Sequence, residues 1–282
     1  MLTLGYLGSV TTFSAQGARV WANGKFTLVG FDSILDLLGA FVQGKIDRAF
    51  VPLENVLGDV VHDTIDFFMT HSWTTPNLRI TKEVLVPIRQ MLMGKPGTDL
   101  TTVTEVLSHP QALSQCTGHL AKYSWKRISV SSTEEGVKLV SQAPTPTIVA
   151  IGSEQAAKQY GLTILASDIG DSQHNVTRFI VLGGPKTEAN GACKTTLFFS
   201  TRNQAGALYH PLGVFFYQGL NLSRITSYTA KRQNDYYFWL DVDGHESDPV
   251  FAAAIKQLQE RFVDEIVVVG SYPKAEQLLE GV

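Results

Sequence analysis

The chain has 282 residues, 44% hydrophobic and 17% charged, which is enough apolar material for buried cores and too little charge for a disordered chain. At about 150 residues per domain, two domains are expected. A net charge of −3 leaves no basic excess to hold nucleic-acid phosphates, no apolar run approaches the ~20 residues of a membrane helix, and Met1 to Ser14 lack a basic n-region and a cleavage pattern, so nucleic acid and membrane are excluded and a cytoplasmic protein is expected.

Through the first 180 residues short β-rich runs alternate with helical stretches. Leu4–Tyr6, Phe26–Phe31, Arg48–Pro52, Val103–Leu107, Arg127–Ser131, Ile148–Ile151 and Arg178–Leu182 read as strands, and the alternation implies an α/β sheet domain. Between them Ser33, with Asp36 three residues on, opens an apolar-periodic helix that Gly44 closes. Residues 183–191, Gly-Gly-Pro-Lys-Thr-Glu-Ala-Asn-Gly, read as a linker between apolar strands. Beyond it come strand Thr195–Ser200, helix Ala207–Gln218, strands Ile225–Ala230 and Tyr236–Val242, helix Pro249–Phe262 and strand Glu265–Val269. That order, βαββαβ, is ferredoxin-like. Pro211 inside the first of these helices would clash, so the helix is expected to begin nearer Tyr209.

Cys116 and Cys193 are far apart and in no C-x-x-C, and the seven histidines show no ligand spacing, so neither disulfide nor metal is expected. Four blocks could carry chemistry. In Asn175-Val176-Thr177-Arg178-Phe179 a hydroxyl and a planar cationic fork stand at a strand entrance, a pair suited to a carboxylate and a leaving oxygen, although on residue types alone a merely solvated edge-strand Thr-Arg is the better reading. In Ser108-His109-Pro110-Gln111, leading to Gln115, polar donors crowd a helix start that would favour an anion, and Ser108 could equally be an ordinary cap. Gly8 to Ser14, with Thr12, Phe13 and Ser14, is a second such cradle, weak when taken alone. Val51-Pro52-Leu53-Glu54-Asn55 ends a strand, and in open α/β sheets ligands bind beyond the carboxyl ends of strands.

Together these blocks resemble the prephenate dehydratase family in order along the chain. The match includes Pro52-Leu53-Glu54-Asn55, Ser108-His109-Pro110-Gln111, Gln115-Cys116, Ser132-Thr133, Ala150-Ile151-Gly152-Ser153, Ala156-Ala157, Tyr160-Gly161-Leu162 and Thr177-Arg178-Phe179. The resemblance implies a two-lobed catalytic domain similar to type II periplasmic binding proteins over residues 1–183, a linker at 184–194 and an ACT regulatory domain at 195–282. It implies a cofactor-free decarboxylating dehydration of prephenate. By residue, it implies that Thr177 assists departure of the ring hydroxyl, that Arg178 binds carboxylate, and that Asn55, Ser108 and Gln115 position the dianion. Thr12, Phe13, Ser14, Glu54 and Phe179 are expected to touch substrate.

The chain departs from the family at Ser9, where a proline is usual, at Thr11, where a glycine is usual, and at Val56, where a serine or threonine is usual. In the second domain Gly206-Ala207-Leu208 matches one half of the family's effector site. The other half, usually Glu-Ser-Arg-Pro, is Thr226-Ser227-Tyr228-Thr229. A phenylalanine response weakened by this loss, with bulky Tyr228 in the effector's space and Ser227 retained, is therefore expected, in a homodimer or homotetramer. Two other readings keep the same cleft: an arogenate dehydratase, and an amino-acid sensor without chemistry.

Overall fold

The computed structural model describes residues 1–57, 60–189, 192–229 and 235–281. The chain begins with β1 (Leu2–Leu7), α1 (Phe13–Ala22), β2 (Phe26–Phe31), α2 (Ile34–Val42), β3 (Arg48–Asn55), α3 (His62–His71) and β4 (Ile80–Pro87). It then crosses into a second lobe of β5 (Met91–Gly94), β6 (Glu105–Ser108), α4 (Pro110–Gln115), α5 (Thr117–Leu120), β7 (Lys126–Ser129), α6 (Thr133–Gln142), β8 (Ile148–Gly152), α7 (Glu154–Gln159) and β9 (Thr163–Ala166). Strand β10 (Val176–Leu182) returns to the first lobe. The C-terminal domain follows as β11 (Cys193–Arg202), α8 (Tyr209–Tyr217), β12 (Leu222–Thr229), β13 (Asp235–Asp243), α9 (Pro249–Arg261) and β14 (Glu265–Pro273).

Each lobe is built on one five-stranded sheet, ordered β2-β1-β3-β10-β4 in the first and β7-β6-β8-β5-β9 in the second. Because β10 belongs to the first sheet, the chain crosses between lobes twice. The two crossings are tied together where Ile88 N–H donates to Asn175 O (2.8 Å) and Ile169 N–H to Gln90 O (2.9 Å). Strands β4, β5 and β9 lie outside the sequence expectation, and β3 runs on to Asn55. Helix α8 starts at Tyr209, as the clash at Pro211 required. Strand β11 begins at Cys193, inside the segment expected as linker; Asn190 and Gly191 of that segment, and Ala230 of the expected strand Ile225–Ala230, lie outside the described residues.

The C-terminal sheet is antiparallel, ordered β12-β13-β11-β14, and its central strands are covered on both faces. Alternation along its strands sends Leu197, Phe199, Phe238 and Leu240 toward α8 and α9. The intervening Phe198 and Trp239 enter the same core as Leu37, Phe68 and Ile180 of the first lobe. The regulatory-looking module thus shares a hydrophobic core with the lobe it follows. The central runs Leu197-Phe198-Phe199 and Phe238-Trp239-Leu240 are continuously apolar because both faces are covered there.

Candidate active site

A cavity of about 340 Å³ opens between the lobes. From the first lobe it is lined by Phe13, Ser14, Asn55, Thr177 and Phe179, and from the second by His109, Gln111, Gln115, Ser132 and Thr133. A larger cavity, about 820 Å³, lies between the first lobe, the linker and the C-terminal domain, and none of the expected catalytic, substrate-binding or effector-binding residues lines it.

An irregularity in the sheet sets up the smaller cavity. On β10, Thr177 pairs with Asn55 and Arg178 with Glu54, but Phe179 pairs with Pro52, so Leu53 is an extra residue on β3. Such a bulge re-aims the side chains beyond it. Regular alternation from Phe50 and Pro52 would send Glu54 to the cavity; the bulge turns Glu54 away and brings Asn55 in beside Thr177.

Amides then bridge the lobes. Asn175 donates through Nδ2 to Gln115 Oε1 (2.9 Å) and accepts at Oδ1 from Asn55 Nδ2 (2.9 Å). Asn55 Nδ2 also donates to Thr177 Oγ1 (2.9 Å), and Asn55 Oδ1 accepts from Leu57 N–H (3.0 Å). Both amide hydrogens of Asn55 are used, one of them on the Thr177 oxygen. The Thr177 hydroxyl hydrogen is therefore not needed by this partner and can be presented to a ligand. Asn175 is buried and joins both lobes. Sequence reasoning quoted it beside Thr177 without giving it a role.

Among the described residues no arginine or lysine lines the cavity. Its positive potential comes from helix starts. Helix α1 begins at Phe13 and α6 at Thr133, with the short α4 adding Gln111 and Ala112 at the rim. Thr12 caps Ala15 N–H and Ser132 caps Glu135 N–H, so the N–H groups of the first two residues of each helix have no intrahelical partner and face the space where an anion would sit. The α6 start is a contribution that the sequence reading left unassigned.

Four expected site residues stand elsewhere. Ser108 is fully buried and donates its hydroxyl to Ile151 O (2.8 Å), and the cap of α4 is His109. Thr12 spends its hydroxyl on Leu7 O and Ser9 O, besides capping α1. Glu54 and Arg178 lie on the opposite side of the sheet from Thr177, because neighbours on a strand point to opposite faces. There Arg178, 4% exposed, pairs through Nη1 with Glu54 (3.0 Å) and Asp241 (2.5 Å), through Nε with Glu83 (2.8 Å), and donates through Nη2 to Tyr272 Oη (2.8 Å). It holds no substrate carboxylate there. Lys194 pairs with Glu83 (3.0 Å) and Arg224 with Glu54 (2.8 Å), giving three cations and three carboxylates in one buried group. Burial opposes charge on Arg178, but its surroundings of Tyr272, Asp241 and Glu83 offset this and hold it charged. Burial likewise works against the Asp241 carboxylate, and Arg178 beside it prevails, keeping the pKa below its usual value.

The family departures have local explanations. Ser9 donates to Glu134 (2.6 Å) across the lobes and contacts Thr11 Oγ1 (2.9 Å), while Val56 is exposed. In the C-terminal domain Gly206, with φ +82°, and Ala207 and Leu208 form the turn before α8. Ser227 lies opposite Phe238, on the helix-covered side of the sheet. Tyr228 points the other way, edge-on to His62 of the first lobe, with burial pushing its hydroxyl up to about 12. It therefore does not occupy space beside Ser227, contrary to expectation.

A family model for prephenate dehydratase matches residues 4–187. The chain is 33% identical to the bifunctional chorismate mutase/prephenate dehydratase of Aquifex aeolicus (strain VF5), over 97% of this chain and 74% of that protein. It is 36% identical to arogenate dehydratase/prephenate dehydratase 2, chloroplastic, of Arabidopsis thaliana, over 81% of this chain and 61% of that one. The solved structure of prephenate dehydratase from Arthrobacter aurescens in complex with L-Phe superposes with a TM-score of 0.87 at 32% identity, covering 97% of this chain and 90% of the other. With the inter-lobe cavity built as described and the match spanning both lobes, the chain belongs to the prephenate dehydratase family.

Proposed function

We propose that the inter-lobe cavity converts prephenate to phenylpyruvate, carbon dioxide and water, with Thr177 as the donor to the leaving ring hydroxyl. As the bond between ring and carboxylate breaks, its electron pair enters the ring, the ring hydroxyl leaves as hydroxide, the Thr177 hydroxyl hydrogen completes a water molecule, and a proton from solvent restores the threonine. Aromatisation drives the step, so the protein has only to hold the dianion and favour charge on the departing oxygen. The N–H groups at the starts of α1 and α6 receive the carboxylates, and Gln115 orients the substrate through Asn175. The observation that carries this reading is Asn55 donating to Thr177 Oγ1, which leaves the threonine hydrogen for the substrate.

Arogenate carries an amine where prephenate has its keto group, and the 36% identical Arabidopsis relative is named for both substrates. Incubating the protein with prephenate and with arogenate, following phenylpyruvate and phenylalanine, tests the assignment. Phenylpyruvate formed from prephenate supports it, phenylalanine formed faster from arogenate moves the substrate to the amino analogue, and binding without product makes the chain a sensor.

The βαββαβ domain reads as an ACT regulatory domain over residues 195–282, after a linker at 184–194, pairing subunits into a dimer or tetramer. Its effector half-site at Gly206, Ala207 and Leu208 is retained, and Thr226 and Tyr228 replace the usual acid and arginine opposite. A weak response to phenylalanine follows. A cytoplasmic location fits; among the described residues no helix is long and apolar enough to cross a membrane.

A further inference from the structure

Resting on the assignment of Thr177 as donor, we propose that Arg178 is a positioning residue through which the C-terminal sheet sets the placement of Thr177 and Asn55. The two strands that carry the donor also carry the ion group, one residue away on each: Asn55 next to Glu54, Thr177 next to Arg178. The bulge at Leu53 interrupts the regular ladder at this point. The bulge disrupts the β3–β10 ladder locally, so contacts across the two strands at this point bear on its geometry. On the cavity side Asn55 and Thr177 bond each other and Asn175, and β10 keeps its regular pairing with β4, so the irregular flank is the one toward β3.

On the far side the guanidinium spans the irregularity. It reaches Glu54 on the bulged strand, Glu83 on β4 at the other flank of β10, and Asp241 and Tyr272 from β13 and β14. Asp241 is itself fixed by Thr196 Oγ1 (2.5 Å) on β11. Three of the four C-terminal strands therefore bear on one side chain, whose backbone neighbour is the proposed donor. An arginine in this role differs from a packing residue: it is fully enclosed, charge-balanced and directional, so a change in the C-terminal sheet reaches Thr177 as a change of angle at β10.

The test uses the full chain and Asp241→Asn, which keeps shape and removes one carboxylate from Arg178. Expected are a kcat on prephenate lowered about tenfold or more, a KM within about twofold, and a displaced Thr177 γ-methyl resonance in protein labelled at threonine methyls, that resonance being identified by its absence in Thr177→Val. Leu258→Ala, in the C-terminal core between sheet and helices, is the control: it lowers thermal stability while leaving kcat and the methyl resonance unchanged. If Asp241→Asn does not fold, Tyr272→Phe removes one hydrogen bond to Arg178 and should shift the same two readouts in the same direction by less. An Asp241→Asn or Tyr272→Phe protein that loses stability like Leu258→Ala, with kcat and methyl resonance at wild-type values, overturns the proposal and makes the ion group a staple. The methyl resonance keeps this outcome separate from the assignment of substrate, because it reads the position of Thr177 whether or not prephenate is turned over.

Discussion

Thr177 and Arg178 are consecutive, yet they serve different neighbours, one the cavity and the other the C-terminal domain. The charge of Arg178 cannot help to bind substrate from where it lies. What it does is stabilise a buried carboxylate, and this has a pH signature. Asp241 has a lower pKa folded than unfolded, so its contribution to stability is complete above the ordinary aspartate value of about 3.9 and is lost as pH falls through the depressed value. Denaturant unfolding measured from pH 7 down to pH 3 should therefore show the wild type losing stability more steeply at the acid end than Asp241→Asn, though the variant is the less stable at pH 7. Equal acid slopes would mean that Asp241 is not held in this way. The strand period alone separated positions 177 and 178, and that much was legible from sequence; giving both a place on the substrate followed the motif rather than the period. The bulge that exchanges Glu54 for Asn55 had one signal, Pro52 within a strand that is interior to the sheet, where proline is tolerated at bulges, but the residues alone do not say that the strand is interior. Asp241 had one too, an acid set within the apolar run Phe238-Trp239-Leu240, which marks a buried charge in need of a partner.

At the scale of elements, the proposed anion site rests on helix starts where other anion sites use cations. Ser132→Ala removes the cap on Glu135 N–H and should cost about 0.5–2 kcal/mol. Because the start of α6 lines the cavity, the same change should raise KM for prephenate severalfold and leave kcat nearly unaltered. A lost cap with unchanged KM would place the carboxylates elsewhere in the cavity. The strands β1, β2, β6, β8 and β10 announced themselves through β-branched and aromatic runs between turn residues. Strand β5, Met-Leu-Met-Gly, lacks those residues, and β4 places Lys82 and Glu83 mid-strand, where Glu83 meets Arg178 and Lys194 rather than water. Both strands are decided by tertiary neighbours that local pattern does not contain. In the C-terminal domain βαββαβ was readable throughout, because each strand and helix there is long and uninterrupted.

For the whole molecule, the shared core matters most. Trp239 stacks beside Phe198 at 6.0 Å and meets Phe68 of the first lobe edge-on at 5.6 Å, so the C-terminal sheet is a structural wall of the first lobe. This sharing could not be read from a linker rich in glycine and proline, which suggested two separable units. It also places any effector signal one sheet away from β10. Phenylalanine should nonetheless act feebly, since Thr226 and Tyr228 supply neither the acid nor the arginine; the loss of one charged contact is worth about 1.5–3 kcal/mol, roughly ten- to a hundredfold in affinity. Calorimetric titration should give a dissociation constant well above micromolar and little inhibition at matching concentrations. Micromolar binding with strong inhibition would show that Ser227 and the turn at Gly206 suffice.

The central claim is that the Thr177 hydroxyl hydrogen goes to the leaving oxygen of prephenate, and kcat of Thr177→Val tests it most directly, since valine keeps the shape and removes the donor. The account predicts a kcat lowered by ~10²–10⁴ with KM and thermal stability close to wild type. A valine variant that turns over prephenate at the wild-type rate would contradict it.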